Sequence, residues 1–143
     1  MESRRLLIEG VLIIRHAGRL NGADLIDHLG GLFMARVFDQ AKYVVSDFSE
    51  IAEVACDESH GREIGALVRE WRGLRARLRR PFRWAVVTTD KRVERLAGII
   101  AVDAGGGVFP RVFTNVYEAL IWVKNPKILM EIACPTAWKN ISG

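Results

Sequence analysis

Asp47-Phe48-Ser49-Glu50-Ile51-Ala52-Glu53-Val54-Ala55-Cys56-Asp57-Glu58-Ser59-His60-Gly61 is the stretch that decides the fold. It leaves a short apolar strand, Tyr43-Val44-Val45 with Phe48, and enters a long amphipathic helix. The helix shows as a stripe of Ile64, Leu67, Val68, Trp71, Leu74 and Leu78 at the 3.6-residue period, stopped by Pro81. A strand that feeds a helix in this way is the repeating unit of a parallel sheet with right-handed crossovers. Ser59 falls where the helix should begin. Its hydroxyl has two readings: an N-cap for an orphan amide, or a phosphoacceptor placed in the positive field of the helix start.

Working outward, Arg4 to Glu9 reads as a strand and Val11 to His16 as a second, with a tight reversal at Gly10 that makes the pair antiparallel. Leu12 and Ile14 point to one face and Val11 and Ile13 to the other, so both faces of this strand should be covered. Asn21 caps a helix carrying Asp24 in its first turn and Leu25, Leu29, Leu32, Phe33 and Arg36 at helical spacing. Gly30-Gly31 weakens that helix by roughly 1 kcal/mol per glycine, which implies a close helix contact or a bend.

Beyond the long helix, Phe82 to Thr89 is an apolar strand built on Trp84, Ala85, Val86 and Val87. Asp90 caps a helix with Val93, Leu96, Ala97 and Ile100, ended by Gly105-Gly106-Gly107. Val108 to Phe113 is an edge strand, because Pro110 cannot donate to a ladder. Asn115 caps a last helix, with Glu118 completing a capping box, Ala119, Leu120, Trp122 and Val123 facing inward, and Pro126 as its limit. The order is β-β-α-β-α-β-α-β-α. It predicts a single α/β domain over 1–124, a mostly parallel central sheet flanked by helices, followed by an apolar tail over 125–143. Leu129, Met130, Ile132 and Trp138 in that tail either dock on the domain or form a homodimer contact.

Composition narrows the class. At 143 residues and half hydrophobic, the chain makes one domain with a real core and is not a disordered segment. No apolar run approaches the roughly 18 residues of a membrane span. Met1-Glu2-Ser3-Arg4-Arg5 leads only to a short apolar segment broken by Glu9, without a cleavage site, so a cytoplasmic protein is expected. Cys56 and Cys134, the only cysteines, lack a CxxC spacing and argue against zinc. Cys56, just ahead of a helix start, is either an activated thiol or a buried inert one.

Candidate chemistry is sparse. His60 with Asp47, Asp57 and Glu58 shows no HxxxH or HxE spacing, and His16 and His28 lie on separate elements without a nucleophile-like neighbour. No catalytic, metal or cofactor site is therefore expected. The triple glycine follows a helix instead of leading into one, the wrong geometry for a phosphate loop. The net charge of +4 is concentrated, with Arg69, Arg72, Arg75, Arg77, Arg79 and Arg80 crowding one helix and its exit. That basic surface is either a solvated face with cations at the negative end of the helix dipole or an anion-binding patch. Exposed aromatics and a nucleic-acid motif are missing from it, so nucleic acid is not the expected partner.

Four segments carry a family resemblance: Gly10-Val11-Leu12-Ile13-Ile14-Arg15 with Gly18-Arg19-Leu20-Asn21, Val44-Val45-Ser46-Asp47-Phe48-Ser49, Asp57-Glu58-Ser59-His60-Gly61, and Phe113-Thr114-Asn115 through Ala119-Leu120-Ile121-Trp122. In order and spacing they resemble the STAS domain of sulphate transporters and anti-sigma-factor antagonists, and more narrowly its SpoIIAA-like branch, which shades into STAS/SEC14-type proteins. The third segment departs from the family's Asp-Ser-Ser-Gly: Glu58 replaces the first serine, His60 separates Ser59 from Gly61, and the aspartate comes two residues late. The resemblance implies a SpoIIAA-like fold and a non-enzymatic, bacterial-type regulatory module with a protein partner. It implies Ser59 as phosphoacceptor and Asp47, Ser49, Asp57, Glu58 and Gly61 as the interaction loop. Its SEC14-type members imply, as the alternative, a carrier of a small apolar ligand or lipid. A further alternative, from the charge pattern, is anion or nucleic-acid binding through Arg69, Arg72, Arg75 and Arg79.

Overall fold

Glu9 and Gly10 both take positive φ, 50° and 80°, the backbone of a two-residue hairpin turn that matches the twist of the strands it joins. The turn connects β1 (Glu2–Ile8) to β2 (Val11–Asn21) in antiparallel register, with Ile8 opposite Val11 and Glu2 opposite Ala17. The computed structural model describes residues 1–79, 82–105, 109–123 and 138–140. Over these the chain continues as α1 (Gly22–Met34), α2 (Arg36–Asp39), β3 (Tyr43–Ala55), α3 (Glu58–Arg77), β4 (Arg83–Val87), α4 (Lys91–Gly105), β5 (Arg111–Phe113), α5 (Val116–Trp122) and β6 (Lys139–Asn140).

The sheet runs β5-β4-β3-β2-β1-β6. Every pairing from β2 to β5 is parallel, and β1 runs antiparallel to both of its neighbours. The expected mostly parallel α/β sheet is thus present, with β5 at one edge. Side chains alternate between two apolar layers. Leu12, Ile14, Val44, Trp84 and Val86 face α1, α3 and α4, whose Leu25, Leu29, Ile64, Val68, Leu96 and Ile100 close that core. Val11, Ile13, Val45, Ala85 and Val87 face Ala119, Leu120 and Val123 at α5. The two-sided burial expected of β2 follows from this arrangement. Trp84 keeps its indole N–H satisfied by donating to Ser46 Oγ at 2.9 Å, so neither buried polar atom is stranded.

Several expectations need correction. β3 does not end near Phe48. It continues to Ala55 beside the second half of β2, with Gly18 opposite Ile51 and Leu20 opposite Val54, through two register shifts that absorb the extra residues. A Cβ added at Gly30 or Gly31 would meet nothing within 4 Å, so no close helix contact is made there. The close contacts lie at Gly22, Gly61 and Gly65, where an added Cβ would fall 2.3 Å from the His60 ring, 2.7 Å from Ile99 and 2.6 Å from Asp103. Leu74 and Leu78, the lower part of the helical stripe, are exposed. Asn115 caps α5 by accepting from Glu118 N, but the Glu118 carboxylate accepts from Thr114 Oγ1 instead of closing a reciprocal box. The one-turn α2 and the strand β6 were not expected. Pro81, Gly106, Gly107, Pro126, Leu129, Met130, Ile132 and Cys134 lie outside the described residues. Trp138, the described part of the apolar set in the tail, has the Arg15 guanidinium 4.7 Å above its ring.

Candidate functional site

Asp57, not Ser59, is the N-cap of α3. Its backbone is extended (φ −109°, ψ 179°), and its Oδ1 accepts from the His60 amide at 3.1 Å. His60 Nδ1 accepts in return from the Asp57 amide at 3.1 Å, a reciprocal box with histidine in the place usually taken by glutamate. Nδ1 also lies 3.2 Å from Asp57 Oδ1. The box uses its lone pair, so that approach is not an ion pair. The exposed Ser59, now in the first turn, donates its hydroxyl to Asp57 Oδ1. These bonds, the Ser59 hydroxyl first and the His60 amide second, hold the Asp57 carboxyl below the usual carboxylate range. Glu58 pairs with Arg62 one turn on, at 2.6 Å.

The same histidine ties the loop to the domain. Its ring covers Gly22 at the start of α1, where no side chain would fit. Gly61 is buried for a similar reason: it lets α3 pass close to Ile99 and Leu96 of α4. Between the loop and α4 lies a cleft of about 260 Å³ reached by Cys56, Asp57, Glu58, Arg92 and Arg95. Arg92 is engaged there by Asp90, at 2.8 Å, and its hydrogen bond lowers the Asp90 carboxyl to about 2. Burial, with Asp57 nearby, pushes the Cys56 thiol up, which favours the inert reading over the activated one.

The structure does not bring all predicted loop residues together. Asp47 lies inside β3, 1% exposed, where its Oδ2 accepts from Arg15 Nε at 3.2 Å and its Oδ1 from the Ser49 amide at 2.9 Å. At about 3.3 Å per strand residue, roughly 25 Å of β3 separates Asp47 from the end of the strand before Asp57. Ser49, exposed on the same strand, is also remote from the loop. Asp57, Glu58, Ser59 and Gly61 remain as one unit. The basic surface divides too. Arg69 and Arg79 are exposed, Arg72 lies 4.7 Å over the Phe109 ring, and Arg75 is buried at 3% exposure. Arg75 donates to Phe38 O at 2.9 Å and Ala41 O at 2.8 Å, so it ties α3 to α2 and is not a surface cation.

His16 and His28 lie on separate elements, as expected, β2 and α1, and their ring centres are 5.0 Å apart and edge-on. His16 is fully buried, stacked on Phe48 at 4.7 Å, with Nδ1 2.7 Å from Ser3 Oγ. Nε2 of each ring has no hydrogen-bond partner among the described atoms. Burial first, and the neighbouring His28 second, lower His16 to about 3. Strand β2 and helix α1 bring these residues together across the core, and no local spacing reveals it. Among the described residues no cluster of three or more His, Cys, Asp or Glu could hold a metal ion, and no helix is long and apolar enough to cross a membrane.

This geometry matches a known architecture. A solved structure of the anti-sigma-factor antagonist SpoIIAA, in its unphosphorylated form, aligns with 87% of this chain and 97% of its own length, at a TM-score of 0.56 and 11% identity. The chain has a SpoIIAA-like fold. The STAS resemblance read from the four short segments therefore holds for the architecture. No family model and no curated protein matches the sequence.

Proposed function

We propose that this protein is a regulatory, protein-binding module of the STAS type, acting in the cytoplasm, whose interaction face is the Asp57–Gly61 segment and the cleft beside it. The observation that carries this reading is the Asp57 cap. It holds an exposed serine hydroxyl in a defined position at the start of α3, at the carboxyl end of a parallel strand, on a fold similar to that of a protein named as an anti-sigma-factor antagonist. Phosphate on Ser59 would add about −1.5 to −2 charges at pH 7. It would also displace the Ser59–Asp57 bond, next to Glu58, and so change the face offered to a partner.

A photo-crosslinking residue placed at Glu58 of the full chain, used in lysate of the host cell and read by mass spectrometry, tests the reading. A discrete partner should be captured by the chain with Ser59 or Ser59→Ala and lost with Ser59→Asp. Capture that ignores Ser59→Asp, or that occurs equally from a probe at Arg83 at the other end of the sheet, sinks it. The carrier alternative would hold its ligand under the apolar tail, most of which lies outside the described residues. The apolar void bounded by Leu25, Phe48, Trp84 and Ile100 holds about 10 Å³, the space of a single water at most.

A further inference from the structure

The end of the sheet opposite Asp57 carries a cleft that the regulatory reading leaves unused. It opens at the amino ends of β3 and β4 and the carboxyl end of α3, and has a volume of about 460 Å³, within the range of roughly 300–1,000 Å³ typical of small-molecule sites. Four cations line it, Lys42, Arg75, Arg79 and Arg83, against one carboxylate, Asp39. We infer that this cleft binds a small soluble anion bearing a phosphate or diphosphate group.

The floor is built, not incidental. Arg75 is 3% exposed, and its two terminal nitrogens are spent on Phe38 O and Ala41 O. The ring centres of Phe38 and Phe82 lie 4.6 and 5.5 Å from Cζ. The guanidinium is thus fixed, and its charge is screened by water far less than that of an exposed side chain. The rim is free to bind. Lys42, Arg79 and Arg83 are exposed and none has a carboxylate partner among the described residues. Lys42 and Arg83 are set side by side by the backbone, because the Arg83 amide donates to Lys42 O at 2.9 Å and the Lys42 amide to Gly10 O at 2.7 Å. Arg79 stands just past the end of α3 with φ 56°, a left-handed backbone that a non-glycine residue seldom adopts.

Charge count and shape select the ligand. The carboxyl end of α3 would by itself repel an anion, so the cation excess answers more than the helix dipole requires. Guanidinium forks match phosphate oxygens in pairs, and three exposed cations suit a group with more than one negative charge. The cleft is concave, with the half-buried Tyr43 as one wall. This favours a compact soluble ligand over a polymer backbone or a membrane surface, which need an extended face.

Titrating the isotopically labelled full chain with inorganic pyrophosphate, followed by NMR at low and at physiological salt, tests the inference. Saturable shifts should centre on Lys42, Tyr43 and Arg83, and the affinity should fall as salt rises. Lys42→Ala and Arg83→Ala, both exposed, should each weaken binding about tenfold, the loss expected for one charge-assisted contact. Arg79→Gly is the decisive variant, since glycine accepts the positive φ without strain. It should weaken binding by a similar factor while leaving the fold as stable as before. Arg95→Ala, at the other end of the sheet, should change nothing. The inference is overturned if shifts never saturate, if Arg79→Gly and Arg83→Ala bind as the parent does, or if RNA or phosphoinositide vesicles bind through these residues and pyrophosphate fails to displace them. None of these outcomes depends on whether Ser59 regulates a partner.

Discussion

The two ends of α3 are held by opposite means. At its start, Asp57, Ser59 and His60 satisfy one another within four residues of sequence, through hydrogen bonds made inside the loop, with the His60 ring packed on Gly22. Near its finish, Arg75 is buried and bonded to carbonyls 37 and 34 residues away. The first arrangement is local and tunable. A change at the exposed Ser59 alters the surface and leaves the core alone, although the His60 ring of the same cap packs on Gly22. The second is tertiary, and a change there loosens the packing of α3 on α2. His16 belongs with Arg75: a buried polar ring whose setting comes from β1, α1 and β3 at once. An exposed local cap and a buried tertiary anchor therefore share one helix.

The strongest way to break this contrast is Arg75→Ala. It leaves the buried Ala41 carbonyl without its Arg75 donor, at about 1–3 kcal/mol, takes one of two donors from the Phe38 carbonyl, which keeps the Ala41 amide, and removes the cation from two ring faces. A loss of roughly 3–5 kcal/mol is expected in urea unfolding followed by tryptophan fluorescence. Arg75→Lys should recover part of it, since an ammonium reaches one carbonyl but not both in the planar fork geometry. A loss below about 1 kcal/mol would mean that α2 does not depend on this anchor and that the two ends of the helix are alike.

The contrast also explains what could be read without a structure. Periodicity located α1, α3, α4 and α5 and the central strands, because one buried stripe or two-sided burial leaves a local pattern at Leu25, Leu29, Ile64, Val68 or Val44 and Val45. Caps at Asn21 and Asn115 were legible for the same reason, since the accepting oxygen and the donating amides are two or three residues apart. The extension of β3 to Ala55 was not, because Glu50 and Glu53 make it look like a loop and its pairing with β2 decides the matter. Arg75 looked like one more surface arginine in a basic run. Its burial depends on aromatic rings at positions 38 and 82, which no spacing within α3 announces. Lys42 and Arg83 were missed for the same cause, since they become neighbours only when β4 is laid beside β3. At the candidate site the helix start was read at Ser59, two residues late, because Asp57 caps the His60 amide with a charged oxygen and begins the helix at Glu58.

A second test sharpens the division through pH. His16 titrates near 6.5 when unfolded and is lowered to about 3 in the fold. Its neutral form is the one the core accepts, so its contribution is complete above pH 6.5 and declines as the pH falls toward 3. Across that window the unfolded chain holds a proton that the folded chain does not, and stability should drop by about 1.4 kcal/mol per pH unit from this residue. His28, lowered by burial, acts in the same direction. The Asp57 carboxyl, lowered from 3.8, loses its contribution only below that value, so it does not shape the slope between pH 6.5 and 4. Urea midpoints collected across this range should show the decline, and His16→Phe, which keeps the stack on Phe48, should flatten it by about one proton. An unchanged slope in His16→Phe would place the acid sensitivity elsewhere.

The smallest expected effect is the most informative about function. Ser59→Ala removes one exposed hydrogen bond, while Asp57 still serves the His60 amide, so stability should stay within about 0.5 kcal/mol of the parent. What should move is the electrostatics of the cap. Without the hydroxyl, the largest influence holding the Asp57 carboxyl down is gone, and its titration should rise toward 3.8, which NMR of the Asp57 carboxyl carbon reads directly. Ser59→Asp should raise it further, by placing a like charge beside Asp57 and Glu58. A helix start tolerates that added charge, so the fold should survive while the face changes. If Ser59→Ala instead unfolded the domain as Arg75→Ala does, the loop would be an anchor and not a face. A Ser59 variant that keeps the fold while shifting the titration of Asp57 is the outcome the proposed regulatory surface predicts.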